Sequence, residues 1–274
     1  MSIPPKITRQ PYQRNPKLFE LLLPAGSYLF REGDPADCLY VVQEGAIDII
    51  TESNSSRHVL ATLHSGSSLG EQAVLGAGLR NATAQAQSDT KCLEIPSQWL
   101  RRELIKSPAL VQKTLRALML QLSQNNFISS QISSGKTEGK LLIEAGSPSA
   151  TLFKLFLKDA THDVIVAGSG KEIDRHLQAN SALVVSTGEL RVFRNNACFT
   201  GGEGTVLGLA QVIGGVKVLD RYEVTSPVTA WIFRGDPLYK LISQLNSGLS
   251  GVFRGVICRA IGVDSVPRKF DQNR

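Results

Sequence analysis

Short apolar runs separated by turn signals limit the fold of this chain more than any other feature. Leu29-Phe30, Leu39-Tyr40-Val41-Val42, Ile47-Asp48-Ile49-Ile50 and Val59-Leu60-Ala61-Thr62-Leu63 have strand length and strand composition. Between them stand Gly33-Asp34-Pro35, Glu44-Gly45, Ser53-Asn54-Ser55-Ser56 and His64-Ser65-Gly66, which reverse a chain readily. Many short strands at regular spacing predict an antiparallel sandwich or barrel. A further strand pair, Ala82 to Gln87 and Lys91 to Ile95, follows Arg80, and the character then switches. Trp99 to Leu104 and Pro108 to Leu122 read as helix. In the second of these, Leu110, Val111, Leu115, Leu118, Met119 and Leu122 fall three and four apart and draw one apolar stripe. That stripe suits either packing against the strands or self-association, and the sequence leaves both open.

The 274 residues suffice for two domains of ordinary size. Hydrophobic residues at 42% and charged residues at 20% give a globular composition, and an aromatic content of 6% argues against a wide base-stacking platform. The net charge of +6 comes from 30 Lys and Arg against 24 Asp and Glu, with no basic run longer than two. A solvated surface explains that balance better than a nucleic-acid footprint. Cys38, Cys92, Cys198 and Cys258 lie far apart without CxxC spacing, and His58, His64, His162 and His176 lack metal-ligand spacing. Neither a metal site nor a catalytic constellation is expected, so the chain reads as non-enzymatic and without a cofactor. No apolar leader opens it and no 18 uninterrupted apolar residues occur, which predicts a soluble, cytoplasmic protein without membrane contact.

The stretch richest in chemistry is Leu69-Gly70-Glu71-Gln72-Ala73-Val74-Leu75, with Arg80-Asn81-Ala82-Thr83 after it. Gly70 lets backbone approach a ligand, the segment behind it aims N–H groups at an anion, and Arg80 offers a bidentate guanidinium. Glu71 beside an anion makes sense if the ligand donates to it, as a ribose hydroxyl would. A nucleotide is the natural expectation.

The ordered set of Gly33-Asp34-Pro35, Leu39-Tyr40-Val41-Val42, Gly45, Gly66, Gly70-Glu71 and Arg80-Asn81-Ala82-Thr83 resembles the cyclic nucleotide-binding domain shared by the catabolite activator protein and the regulatory subunits of cyclic-AMP-dependent kinase. The resemblance covers residues 18 to 126. It implies that Arg80 pairs with the cyclic phosphate, that the amides of Gln72, Ala73 and Val74 and of Asn81 and Ala82 cradle it, and that Glu71 accepts from the ribose 2′-hydroxyl. It also implies that the long helix meets the base, at Asn125 and Asn126. Leu79 and Asn81 depart from the family's usual Pro and its usual Ala, Ser or Thr, which leaves cyclic AMP, cyclic GMP and cyclic di-GMP open, with cyclic AMP the first expectation.

Bacterial activators of this family continue into a DNA-reading helix-turn-helix, whereas this chain carries an echo of its own first half. Val184-Val185-Ser186-Thr187-Gly188-Glu189-Leu190 echoes Val41-Val42-Gln43-Glu44-Gly45-Ala46-Ile47, and Gly204-Thr205-Val206-Leu207-Gly208 echoes Gly66-Ser67-Ser68-Leu69-Gly70. Two registers fit the start of the second copy. One sets Leu152-Phe153 opposite Leu39-Tyr40. That register leaves roughly Lys158 to Ala182 without a counterpart, with a helical insertion around Lys171 to Gln178, whereas the other makes Ala150 to Leu157 an entry helix and begins the barrel at Val164. Leu209 occupies the place of Glu71 and Val218 that of Arg80, so the second copy is degenerate.

The expected architecture is mainly β with helices: two antiparallel β-barrel, jelly-roll-like modules, each followed by helices. The expected parts are an arm over 1–16, a binding domain with its long helix over 17–128, a linker over 129–140, a degenerate second domain over 141–262 and a tail over 263–274. The expected function is a cyclic nucleotide receptor that signals to a protein partner, with a homodimer through helix 108–126. A ligand-dependent transcriptional regulator and a nucleotide-free scaffold are the alternatives.

Overall fold

Period-two burial builds the first unit. In the strand at Cys38–Glu44, the core side chains Tyr40 and Val42 stand two apart, and Val42 is fully enclosed. The computed structural model describes residues 6–13, 15–53, 56–75, 78–144, 147–158, 164–167, 169–178, 180–194, 196–217, 221–263 and 265–268. Two compact units divide the chain, Met1–Lys106 and Ser107–Arg274.

The first unit runs β1 (Thr8–Tyr12), β2 (Asn15–Leu23), β3 (Tyr28–Phe30), β4 (Cys38–Glu44), β5 (Ala46–Ser53), β6 (Ser56–His64), β7 (Ser68–Leu69), α1 (Glu71–Leu75), β8 (Thr83–Ala86), β9 (Thr90–Pro96) and α2 (Ser97–Lys106). Its strands form two antiparallel sheets, ordered β1-β2-β9-β4-β7 and β3-β8-β5-β6, rather than one closed barrel. Leu23, Tyr40, Val42, Leu69 and Cys92 from the first sheet meet Ile47, Leu63 and Ala84 from the second in one core. The arm expected over 1–16 includes β1, which pairs with β2.

Cys92 is fully enclosed in this core, and burial pushes its thiol up to about 12. The folded state therefore holds this proton above the pH at which an unfolded thiol releases it. The associated stability is fully present below about pH 9 and is lost as pH rises toward 12, at roughly 1 kcal/mol by pH 10. Cys92→Ala is expected to lower stability at pH 7 through the lost volume but to flatten the decline between pH 9 and 10. Urea unfolding at the three pH values checks this, and an unchanged slope would contradict it.

The second unit runs α3 (Ala109–Ser133), β10 (Glu138–Leu141), α4 (Pro148–Lys158), β11 (Val164–Ala167), α5 (Gly170–Gln178), β12 (Ser181–Thr187), β13 (Leu190–Arg194), β14 (Ala197–Gly201), β15 (Val206–Leu207), α6 (Leu209–Gly214), β16 (Arg221–Val224), β17 (Val228–Arg234), α7 (Gly235–Ser243) and α8 (Ser247–Ile261). Its sheets are ordered β11-β17-β12-β15 and β10-β14-β13-β16, antiparallel except that β10 runs parallel to β14. The order β9-β4-β7 recurs as β17-β12-β15, and β8-β5-β6 recurs as β16-β13-β14. Even the irregularities repeat. The register shifts just after Val42 and just after Val185, and Gly45 and Gly188 follow at φ +82° and +87°, a region closed to most side chains. The main-chain pairs Gly66 N–H to Val42 O and Gly204 N–H to Val185 O are both 2.8 Å. The internal echo read from the sequence is thus a repeat of topology.

Several expectations change here. Leu152-Phe153 lies in α4, so the register that made it a strand fails, while the other register's entry helix and strand at Val164 are both present, preceded by β10, which it lacked. An apolar run this short is ambiguous between the two states, and Phe153 and Phe156 stack at helical spacing. The expected insertion helix is α5. The linker expected over 129–140 is instead the end of α3 followed by β10, and the boundary expected at 128 falls inside a continuous helix. Gln244 to Asn246 separate α7 from α8. Asn246 caps α8 by accepting from Leu249 N–H at 2.9 Å.

The largest change concerns α3. It packs on α4, α6 and α8 within the second unit, and its stripe residues Val111, Leu115, Leu118, Met119 and Leu122 are buried. The stripe expected to support a homodimer is therefore spent on the chain's own core. No described helix is long and apolar enough to cross a membrane.

Candidate functional site

The site begins where two loops of the first unit zip together. Arg80 N–H donates to Asp34 O and Gly33 N–H to Arg80 O, both at 2.8 Å, while Ala36 N–H donates to Gly78 O and Pro35 bridges to Leu79. The Gly33-Asp34-Pro35 turn thus fixes the backbone of Arg80, whose side chain turns inward and is only 3% exposed. Its Nη2 donates to Cys38 O at 2.8 Å and lies 3.7 Å from Cys38 Sγ, and its Nη1 donates to Gly70 O at 3.3 Å. The guanidinium carbon sits 4.2 Å from the Phe30 ring centroid and 5.5 Å from that of Tyr40. Among the described residues no carboxylate pairs with Arg80, and its Nε is buried without a hydrogen-bond partner.

Gly70, at φ +89°, leaves room for the guanidinium: a Cβ there would collide with Arg80 Nη1. Glu71 follows, fully enclosed, at the start of α1. Gln72 accepts from Asn81 Nδ2 at 2.7 Å, so the two halves of the cradle are joined by a side-chain pair. Ala73 continues α1, and Ala82 is buried just before β8. Val74 N–H is already bonded to Gly70 O at 3.3 Å, closing the first helical turn. Its amide therefore leaves the expected set, while its carbonyl accepts from Arg101 Nη2 of α2 at 2.8 Å. Gly70, Glu71, Gln72, Ala73, Arg80, Asn81 and Ala82 are thus gathered in one place.

The base contacts that the resemblance implies are Asn125 and Asn126. Both lie on α3 in the second unit, where Asn125 Nδ2 donates to Ala260 O and Asn125 Oδ1 accepts from Arg194 Nη1 at 3.0 Å. The physical reason is that a side-chain amide satisfies a buried carbonyl and a guanidinium as well as it would a purine edge. Sequence reasoning missed Phe30, Cys38 and Tyr40 around Arg80, and Arg101 behind α1. Only the shared face of Cys38 and Tyr40, two apart on β4, hinted at the first group.

In the second unit the matching turn carries Gly208 at φ +74° and a fully buried Leu209 in place of a carboxylate. Ala210 N–H, the counterpart of the Gln72 amide, already donates to Gln121 Oε1 of α3 at 2.7 Å. Gln124 closes the neighbouring turn, accepting from Val206 N–H at 3.0 Å and donating to Gly204 O at 2.8 Å. Val218, expected at the place of Arg80, lies outside the described residues. Among the described residues no cluster of three His, Cys, Asp or Glu could hold a metal.

Burial pushes the Cys38 thiol up to about 11. Burial pushes the Tyr40 phenol further still, reinforced by the neighbouring thiol. Both holders of Arg80 are neutral at physiological pH.

The sequence model of the cyclic nucleotide-binding domain family matches residues 20–107. The cAMP-dependent protein kinase regulatory subunit of Dictyostelium discoideum is 35% identical over 81 residues, 28% of this chain and 25% of that protein. An uncharacterized NTE family protein of Mycobacterium tuberculosis is 31% identical over 103 residues, 38% of this chain and 17% of that one. The chain thus spans a quarter or less of the length of these curated relatives. Among solved structures, a cyclic nucleotide-binding-like protein of Brucella abortus is 34% identical with a TM-score of 0.29, covering 31% of this chain and 74% of that one. A cAMP-bound PfPKA-R structure is 16% identical with a TM-score of 0.35, covering 93% and 84%. Residues 20–107, which hold the whole Gly70 to Ala82 cradle, form a domain of the cyclic nucleotide-binding family.

Proposed function

We propose that this chain is a non-enzymatic cytoplasmic receptor that binds a cyclic nucleotide, cyclic AMP first, in its first unit and passes occupancy to a protein partner. One observation carries the reading: Arg80 is a buried guanidinium held by carbonyls and ring faces, with no carboxylate among the described residues. Burying an uncompensated charge is costly, and an incoming phosphate monoanion supplies the compensation. Glu71, buried beside the cradle, is the acceptor for a ribose hydroxyl. Arg101, bonded to Val74 O, ties the cradle to α2 and gives a bound ligand a mechanical hold on a helix. The four cysteines are free, which suits a reducing compartment. Base contacts from Asn125 are not part of this reading, since that side chain is committed within the second unit.

Calorimetry with cyclic AMP, cyclic GMP and cyclic di-GMP tests it. One ligand per chain is expected, because the second turn has lost its carboxylate and its Ala210 amide is taken. Failure of all three ligands to bind would overturn the receptor reading, and two equivalents per chain would overturn the assignment of a single site.

A further inference from the structure

A buried guanidinium is ordinarily fixed by a carboxylate, which sets its plane but also spends its charge. Around Arg80 the fixing groups are of another kind. The Phe30 and Tyr40 rings stack on one another with centroids 6.0 Å apart and planes at 26°, and the guanidinium lies over this pair, nearer to Phe30. Cys38 contributes twice: its carbonyl accepts from Nη2, and its thiol donates to Tyr40 Oη at 3.0 Å while lying beside the same Nη2. Phe30 comes from β3, Cys38 and Tyr40 from β4, and Arg80 from the segment before β8. Three separate parts of the unit therefore converge on one charge.

The faces of the rings are the negative ends of their quadrupoles, so they attract the cation and restrict its plane without neutralising it. Nε, left without a partner, keeps a donor in hand on the edge of the guanidinium. Among the described residues no ion pair has to be broken before the guanidinium bonds an anion. Glu71, the carboxylate of the same cradle, is absent from the hydrogen bonds and ring contacts that hold the guanidinium.

We infer that Phe30 and Tyr40, braced by the Cys38 thiol, are positioning residues: a neutral aromatic platform that fixes the orientation of Arg80 toward a ligand phosphate. This rests on the cyclic nucleotide reading, and it assigns orientation, not mere volume, to Phe30. Orientation has a readout that simple packing lacks. The two phosphorothioate diastereomers of cyclic AMP place sulfur at one or the other exocyclic position, and a guanidinium held at a fixed angle tells them apart.

The experiment is calorimetry on the full chain with cyclic AMP and with its Sp and Rp phosphorothioates, for wild type, Phe30→Leu, Phe30→Met and Phe30→Tyr. Wild type is expected to bind cyclic AMP and to separate the diastereomers. Phe30→Leu is expected to weaken cyclic AMP about tenfold, the order of a desolvated cation–π contact, and to bring the diastereomers within about twofold of each other. Phe30→Tyr, which keeps the ring, is expected to restore both. If thermal unfolding shows Phe30→Leu to be unfolded, Phe30→Met, closer in volume and also without a ring, gives the same reading. Discrimination that survives in the ringless variants overturns this inference alone. Absence of binding by the wild type overturns it together with the receptor reading.

Discussion

Arg80→Ala is expected to raise the dissociation constant for cyclic AMP about a hundredfold while leaving the unliganded protein close to its wild-type stability. The first half follows from what the side chain can give a phosphate. Charge-assisted hydrogen bonds to a partly desolvated anion are worth about 1.5 to 3 kcal/mol apiece, and each 1.4 kcal/mol is a decade in affinity. The second half separates a ligand-binding arginine from a structural one. While Gly70 O keeps its bond from Val74 N–H, removing Arg80 takes the Nη2 donor from the Cys38 carbonyl, a loss of roughly 1 to 3 kcal/mol if water does not reach it. It also relieves the burial of a charge that no described carboxylate offsets, a gain of similar size. The two nearly cancel, so the midpoint of thermal unfolding without ligand is expected to move by only a few degrees. Arg80→Lys keeps a charge but loses the fork, and recovers part of the affinity. Unchanged binding by Arg80→Ala would mean that the phosphate lies elsewhere. A large fall in unliganded stability would mark Arg80 as a structural residue.

The cradle was legible because its parts lie within thirteen residues, Gly70 to Ala82, where spacing alone constrains who can meet whom. The platform beneath it was not. Phe30, Cys38 and Tyr40 reach Arg80 only after β3, β4 and the loop before β8 have paired, and nothing local marks a phenylalanine in β3 as anything but core. Gly70 shows the same limit from the other side. Its need for a missing Cβ was readable, but that Arg80 Nη1 lies in that space was not. The long helix was the hardest case. Period 3.6 identified α3 and its buried stripe, yet periodicity says nothing about which unit receives it, and asparagines on its polar side suit a purine or a carbonyl equally well. For Asn125 the partners within its own unit are Ala260 O and Arg194, which are far away in sequence.

The same polar side of α3 supports the strongest stability effect we expect outside the binding site. Gln121 is only 2% exposed, and both ends of its amide are used: Oε1 accepts from Ala210 N–H at 2.7 Å and Nε2 donates to Gln211 Oε1 at 2.9 Å. In the first unit the corresponding turn keeps Gln72 bonded to Asn81, beside Arg80. In the second unit the helix supplies the acceptor itself, so the turn at Gly208 is ordered without any ligand. Gln121→Leu preserves the apolar stem and approximate volume of the side chain but leaves a backbone donor and a side-chain acceptor unpaired in a dry place. Each costs about 1 to 3 kcal/mol, so a loss of roughly 3 kcal/mol is expected. Gln121→Glu keeps an acceptor for Ala210 N–H but turns the group facing Gln211 from donor to acceptor and adds a buried charge. It is expected to be at least as costly at pH 7 and to recover as the carboxyl is protonated in acid. Urea unfolding and amide exchange at Ala210 measure both. Protection of the Ala210 amide that persists in Gln121→Leu, with stability unchanged, would show that α3 merely covers this turn and does not hold it. Loss of that protection would support the expectation of one ligand per chain: the acceptor that a ligand would bring to Ala210 is already built into the helix.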